Sequence, residues 1–178
     1  QRLVFRRKLK VEARSDLQVS GAFTAPVTAG NARIGIADEV IELDYGDVGQ
    51  PRVLRIAPGI NAPLDAQACL QWKQYDLLHG LVRLPPEQRE QWTPQQLSLE
   101  RLPAFSVKKG CYPGQEIVAR THFLGKAKRG LVVFESDATL EAGMEVSDGE
   151  RVVGTVISVS DGDTPLALAV LPLDRPAG

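Results

Sequence analysis

The sequence Lys-Lys-Gly-Cys-Tyr-Pro-Gly-Gln-Glu-Ile-Val-Ala-Arg, residues 108–120, places one cysteine between two glycines and close to three basic side chains. Proline is favoured in the first turn of a helix, because its φ is already helical and its missing N–H costs nothing there. We therefore expect a short helix that opens at Pro113, with Tyr112 as its N-cap residue. This stretch would join an α+β part of the chain to a β-rich part.

On this interpretation, Cys111 lies just before a helix N-terminus. The partial positive charge of the aligned peptide groups and the neighbouring lysines would favour the thiolate form of its side chain. The stretch therefore predicts a reactive thiol. The alternative is a small, buried and inert cysteine between two turns, as isolated cysteines often are.

Basic residues are concentrated around this cysteine. Between positions 108 and 129 there are six Lys or Arg residues and one acidic residue, a local charge of +5. Because the net charge of the whole chain is −1, the remaining residues together carry −6. Such a segment either holds an anionic ligand or forms a solvated face. Nucleic acid is a weakly supported partner, because few aromatic residues are interleaved. The basic residues are Lys108, Lys109, Arg120, Lys126, Lys128 and Arg129.

Composition indicates a globular protein. The 178 residues are 43% apolar, enough for a sizeable core in one domain or two small ones. The sequence has no run of about eighteen apolar residues, so we expect no membrane span. The chain begins at Gln1 without a methionine, which suggests a piece of a longer protein.

Cysteine and histidine usage predicts no metal site. Cys69 and Cys111 are far apart, and neither His79 nor His122 has a second ligand at helical spacing, so a self-contained zinc or iron–sulfur site is not expected. Two unpaired cysteines fit a reducing cytoplasm, or the mitochondrial matrix in a eukaryote.

Short β-branched runs separated by turn residues predict strands at both ends of the chain. A helix is expected over 64–81, with Trp72 as a core anchor and Gly80 near its end. The Gln-rich residues 87–102 would mix loop with short helix. We place a boundary near Ala127, giving domains 1–127 and 128–178. The predicted strands cover 3–12, 17–23, 34–36, 40–43 and 52–56, then 131–134, 145–147, 151–160 and 165–171.

The cysteine stretch resembles the signature of the YgfZ family, folate-binding relatives of the glycine-cleavage T-protein, an aminomethyltransferase. The resemblance is strong over about 72–134: residues 72–80 are similar to a tryptophan-containing helix that ends in glycine, and residues 92–95 to an aromatic-x-Pro-Gln segment. Gly125 and residues 128–130 are similar to the entry into a C-terminal barrel.

This resemblance implies an α+β fold in which the remnant of a T-protein-like α/β middle domain is followed by a small antiparallel β-barrel. The family's N-terminal domain, which supplies part of a folate cavity, would be missing. Cys111 would be the functional thiol. The folate-binding positions that the resemblance implies are Trp72, at the place of a pterin-contacting tryptophan, and Lys109, Tyr112, Gln115, Glu116 and Arg120 in the signature, which Gly114 also matches.

The implied function is tetrahydrofolate binding in support of iron–sulfur cluster assembly or repair, with an indirect effect on tRNA modification. Partners would be folate and iron–sulfur client proteins. Whether the chain is an enzyme stays open. An aminomethyltransferase is one alternative, but the carboxylate that such a reaction needs is replaced by Leu78, and a family asparagine by Ser98. An RNA- or protein-binding module using residues 108–129 is another.

Overall fold

The computed structural model describes residues 10–59, 63–125, 127–162 and 165–174. The chain divides into two compact units, Gln1–Pro63 and Leu64–Gly178. The predicted domain boundary near Ala127 does not coincide with the boundary between these units. The division into family domains 1–127 and 128–178 stays a prediction. Most of the strand predicted over 3–12 lies outside the described residues, and residues 10–12 are not in a strand.

The first unit contains one antiparallel sheet. Its strands are β1 (Leu17–Ala22), β2 (Gly35–Ala37), β3 (Val40–Asp44) and β4 (Val53–Pro58), in the order β1-β4-β3-β2. Asp38 and Glu39 both have positive φ between β2 and β3. Two such residues in a two-residue loop are typical of a hairpin turn whose twist matches its strands. The four strands predicted between 17 and 56 are confirmed.

The Glu42 side chain links the loop that contains Val27 and Thr28 to this sheet through hydrogen bonds. The side chain, on β3, is buried, and its Oε2 accepts hydrogen bonds from the N–H groups of Val27 at 2.8 Å and Thr28 at 2.7 Å. Arg55 donates from Nε to Oε1 at 2.8 Å. The Thr28 N–H first, and then the Arg55 guanidinium, lower the pKa of Glu42 to about 2.

The second unit combines two helices with a second sheet. Helix α1 spans Ala66–Leu78 and α2 spans Gln115–Leu124, with 3-10 turns at Pro86–Gln88 and Leu99–Arg101. The strands predicted after residue 129 and the mixture of loop and short helix over 87–102 are confirmed. The strands are β5 (Arg129–Glu135), β6 (Glu145–Ser147), β7 (Val152–Ser160) and β8 (Leu166–Pro172).

The prediction of a closed barrel is wrong for the strands that the structure describes. They form an open antiparallel sheet in the order β5-β8-β7-β6, with β5 and β6 at opposite edges. Apolar side chains of this sheet are buried against other elements of the unit. Leu77 of α1 packs on Leu166 and Leu168 of β8, and Leu97 packs on Ile157 and Val170. The mixed α+β class is consistent with the structure, while descent from a T-protein-like domain stays a prediction.

A side-chain cap at its start and a left-handed glycine after its end set the limits of α1. The Asp65 side chain caps the helix by accepting a hydrogen bond from the Ala68 N–H at 3.0 Å. At the other end Gly80 has φ +60°, a left-handed conformation that stops the helix. The Arg101 guanidinium donates to the Gly80 carbonyl at 2.5 Å. The helix is therefore shorter than the predicted 64–81.

The lowered pKa of Glu42 predicts a stability loss in acid. A carboxylate with an ordinary pKa of 4.5 and a folded value of about 2 contributes stability above about pH 4.5, which is lost as the pH falls through 2. Protection factors of the β3 and β4 amides, measured between pH 2.5 and 6, should fall in acid. Glu42→Gln should flatten this dependence, whereas Glu39→Gln, at an exposed carboxylate of the same hairpin, should retain it. Equal profiles for all three proteins would contradict the role of Glu42.

Gly80→Ala should lower the free energy of unfolding by about 1–2 kcal/mol through left-handed strain, and by about 1 kcal/mol more because the new Cβ displaces the Arg101 guanidinium from its hydrogen bond to the Gly80 carbonyl. Gly149→Ala is the matched control. Gly149 also has positive φ, but a Cβ there meets nothing within 4 Å, so only the backbone strain remains. Urea unfolding followed by tryptophan fluorescence compares the two variants. Equal losses would show that the approach of Arg101 carries no cost.

Candidate functional site

A tight turn precedes α2. Gly114 has φ +80° and ψ −1°, the values of the third residue of a type II turn, and Pro113 stands before it as such turns favour. The Gln115 N–H donates to the Tyr112 carbonyl at 3.2 Å. The predicted helix start at Pro113 with Tyr112 as N-cap is therefore wrong. Gly114 is the N-cap, because the Pro-Gly pair forms the turn and the helix begins after it.

The side chain of Gln115 strengthens this turn. Its Oε1 accepts a hydrogen bond from the Tyr112 N–H at 3.2 Å. The Lys109 ammonium lies 4.9 Å from the centroid of the Tyr112 ring, within cation–π distance. The structure thus brings Lys109, Tyr112 and Gln115 together around the turn. Tyr112 Oη is buried and has no hydrogen-bond partner among the described residues.

Cys111 is a free, exposed cysteine immediately before this turn. The alternative of a buried cysteine is therefore wrong, while the reactivity of the thiol stays a prediction. Lys108 and Lys109 on one side, and Glu116 and Arg120 on α2, are also exposed. Cys111 is therefore accessible from solvent, with two exposed lysines close to it in sequence. Cys69, on α1, is free and exposed too.

Two buried glutamines, which sequence reasoning missed, support α2 and the segment beneath it. The Gln95 side chain is 6% exposed, and its Nε2 donates to the carbonyl of Val118, the buried residue of α2, at 2.9 Å. Gln88 donates from Nε2 to the Val156 carbonyl of β7 at 3.1 Å and accepts the indole N–H of Trp92 at 3.0 Å. The aromatic-x-Pro-Gln similarity was the available signal for Gln95.

The remaining predicted positions lie on other elements. Trp72 is half-buried on α1, an element separate from the turn that holds Lys109 and Tyr112. Leu78, at the last residue of the same helix, is exposed. Ser98 has a left-handed backbone with φ 52°, and its Oγ accepts the Leu131 N–H at 3.0 Å. Ser98 therefore links the second 3-10 turn to β5.

A cleft of about 520 Å³ lies where the second 3-10 turn, the C-terminal end of α2 and the start of β5 meet. Sequence reasoning did not predict it. Two arginines line it, and its one carboxylate, Glu100, lies 3.4 Å from the His122 ring. The lining residues are Gln95, Ser98, Glu100, Arg101, Thr121, His122, Gly125, Ala127, Arg129, Gly130 and Leu173.

The described residues include no group of three or more His, Cys, Asp or Glu side chains placed to hold a metal ion. Within the same ranges, neither helix has the length and apolar character needed to cross a bilayer.

Comparison with known proteins identifies similar sequences. A "tRNA-modifying protein YgfZ" of Aliivibrio fischeri (strain MJ11) is 40% identical over 112 residues, covering 58% of this chain and 35% of the relative. The protein of the same name from Edwardsiella ictaluri is 34% identical over 147 residues, 72% of this chain and 44% of the relative. This chain therefore spans about a third to under half of the length of these relatives. No family model matches the chain.

Gln88→Leu should lower the free energy of unfolding by about 1–3 kcal/mol, because the Trp92 indole N–H loses its partner inside the unit. Gln91→Leu is the control, since that glutamine is exposed. Urea unfolding followed by circular dichroism measures the loss of stability in both variants. Equal stability of the two variants would mean that the buried amide does not hold this segment.

Proposed function

We propose that this chain, a member of the YgfZ family, is part of a tetrahydrofolate-binding protein. That protein would support the assembly or repair of iron–sulfur clusters. The names of its relatives connect the family with tRNA modification. In this proposal the connection is indirect: client enzymes that carry iron–sulfur clusters perform the modification, and Cys111 is the thiol that serves them.

The observation that supports this role most is the exposure of Cys111 next to a hydrogen-bonded turn. The turn fixes the backbone on one side of the cysteine, while the thiol remains accessible. Lys108 and Lys109 are both exposed and add positive charge to the surface near Cys111 in sequence. A thiol in such surroundings is suited to a transient bond with a partner or to a shared place in its cluster.

The residues fit parts of a folate ligand. Lys109 and Arg120 are exposed cations that would bind the glutamate carboxylates. The buried, unpartnered Tyr112 Oη would form a hydrogen bond with a polar group of the ligand. Trp72 would supply an aromatic wall, and the Gln115 amide N–H₂ and the Glu116 carboxylate would complete the polar contacts. The bound folate would control access to the thiol.

Aminomethyl transfer is not part of this proposal. That reaction needs a carboxylate positioned at a folate nitrogen as general acid or base. The position where family relatives often have a glutamate is Leu78, which is exposed at the end of α1. An apolar side chain there has no proton to exchange.

Cys111→Ala should abolish the ability of the protein to restore iron–sulfur enzyme activity in cells that lack it. The thiol is exposed, so its removal should leave the fold intact, as circular dichroism would check. Cys69→Ala, at the other exposed free cysteine, should restore activity like the unchanged protein. Normal rescue by Cys111→Ala would refute the role of this thiol.

Folate binding is tested separately, by titrating tetrahydrofolate into the protein. Lys109→Ala and Trp72→Ala should each weaken binding at least tenfold, because a charge-assisted contact or a large aromatic surface is lost. Lys73→Ala, an exposed lysine next to Trp72 in sequence, is the control. Unchanged affinity in all three variants would exclude these residues from the folate site.

A further inference from the structure

We propose that the cleft between the second 3-10 turn, the end of α2 and the start of β5 binds a nucleotide. The proposal does not rest on folate binding. Among the described residues, none of those assigned above to folate or to the thiol lines this cleft. Its volume of about 520 Å³ is in the range of small-molecule and cofactor sites.

Charge selects an anionic group. Arg101 and Arg129 both line the cleft, and Arg129 is exposed and forms no ion pair within the described part of the chain. Glu100 is the one carboxylate among the described lining residues, so the two guanidiniums leave the lining with a positive balance. A guanidinium binds phosphate through paired hydrogen bonds, so Arg129 is the principal phosphate contact that we assign.

Polar groups of the lining select an N–H donor. Gln95 is 6% exposed, and its Nε2 is already committed to the Val118 carbonyl. Its Oε1 is buried with no hydrogen-bond partner among the described residues. A buried acceptor left without a donor costs free energy, so a ligand N–H that reaches it would add affinity. The amino group of a nucleobase provides such a donor.

Both ends of such a ligand are needed together. Phosphate alone would use only the arginines, and a nucleoside alone would use only the polar and apolar wall that Leu173 contributes to. A nucleotide carries the anionic group and the N–H-bearing ring in one molecule. Its source is a free mononucleotide or a residue of an RNA strand. Lys128, next to the lining residue Arg129 in sequence, is exposed and would contact a flanking phosphate of a strand.

Titration calorimetry of the protein with AMP, adenosine, inorganic phosphate and a twelve-nucleotide single-stranded RNA tests the assignment. AMP should bind at least tenfold more tightly than adenosine or phosphate. RNA that binds more tightly than AMP and competes with it identifies a strand as the source. RNA that does not compete identifies the free nucleotide. No binding of either AMP or RNA overturns the proposal.

Two variants locate the site. Arg129→Ala should weaken AMP binding at least tenfold, while Arg151→Ala, at an exposed arginine on the turn before β7, should not. Gly125→Leu should block the cleft without strain, because a Cβ at Gly125 meets nothing within 4 Å. Gly30→Leu, equally open but in the first unit, is its control. Equal affinity of each variant and its control would overturn the proposal.

Competition between tetrahydrofolate and AMP tests whether the cleft is instead the folate site. If tetrahydrofolate displaces AMP and its own affinity depends on Arg129 rather than on Lys109, the cleft is the folate site and the nucleotide assignment is wrong. The rescue of iron–sulfur enzyme activity by Cys111→Ala is measured in cells, in an experiment separate from AMP binding. Failure of the nucleotide site and failure of the proposed thiol function are therefore distinguishable.

Discussion

The buried amide of Gln88 is the interaction on which the arrangement of the second unit depends. A carboxamide can donate and accept at once, and Gln88 does both, to the Val156 carbonyl of β7 and from the Trp92 indole. These bonds hold an irregular segment against the sheet and satisfy both polar atoms of the Gln88 amide. An apolar residue of similar size would pack but would satisfy neither partner. A buried polar side chain thus fixes the position of the segment more specifically than apolar packing alone.

Gln95 extends this support to α2. Only Val118 of this helix is fully buried, so apolar packing contributes little to its position. The Gln95 hydrogen bond to the Val118 carbonyl ties the middle of the helix to the segment that Gln88 holds. Both ends of α2 can then remain exposed. One end follows the turn next to Cys111, and the other lines the cleft with Thr121 and His122.

Local sequence patterns predicted much of this fold. The strands of both sheets follow from β-branched runs between turn residues, and Gly80 marks the end of α1. The start of α2 could not be placed by proline alone, since Pro113 fits both a helix and a type II turn, and Gly114 decides for the turn. The open sheet was missed because closure depends on pairing between distant strands. Burial of Gln88 and Gln95 was missed because glutamine is mostly exposed.

The two ends of α2 show why a sequence reveals one candidate site and hides another. The turn that follows Cys111 is formed by residues adjacent in sequence. Pro113 and Gly114 act through local backbone geometry, so their spacing from Cys111 is informative by itself. The cleft assembles Gln95, Arg101 and Arg129 from three separate segments. No local spacing relates them, because the hydrogen bonds of Gln95 to α2, of Arg101 to Gly80 and of Ser98 to β5 bring them together. A site of this kind becomes visible only when those tertiary contacts are known, whereas its chemistry still follows from the individual side chains.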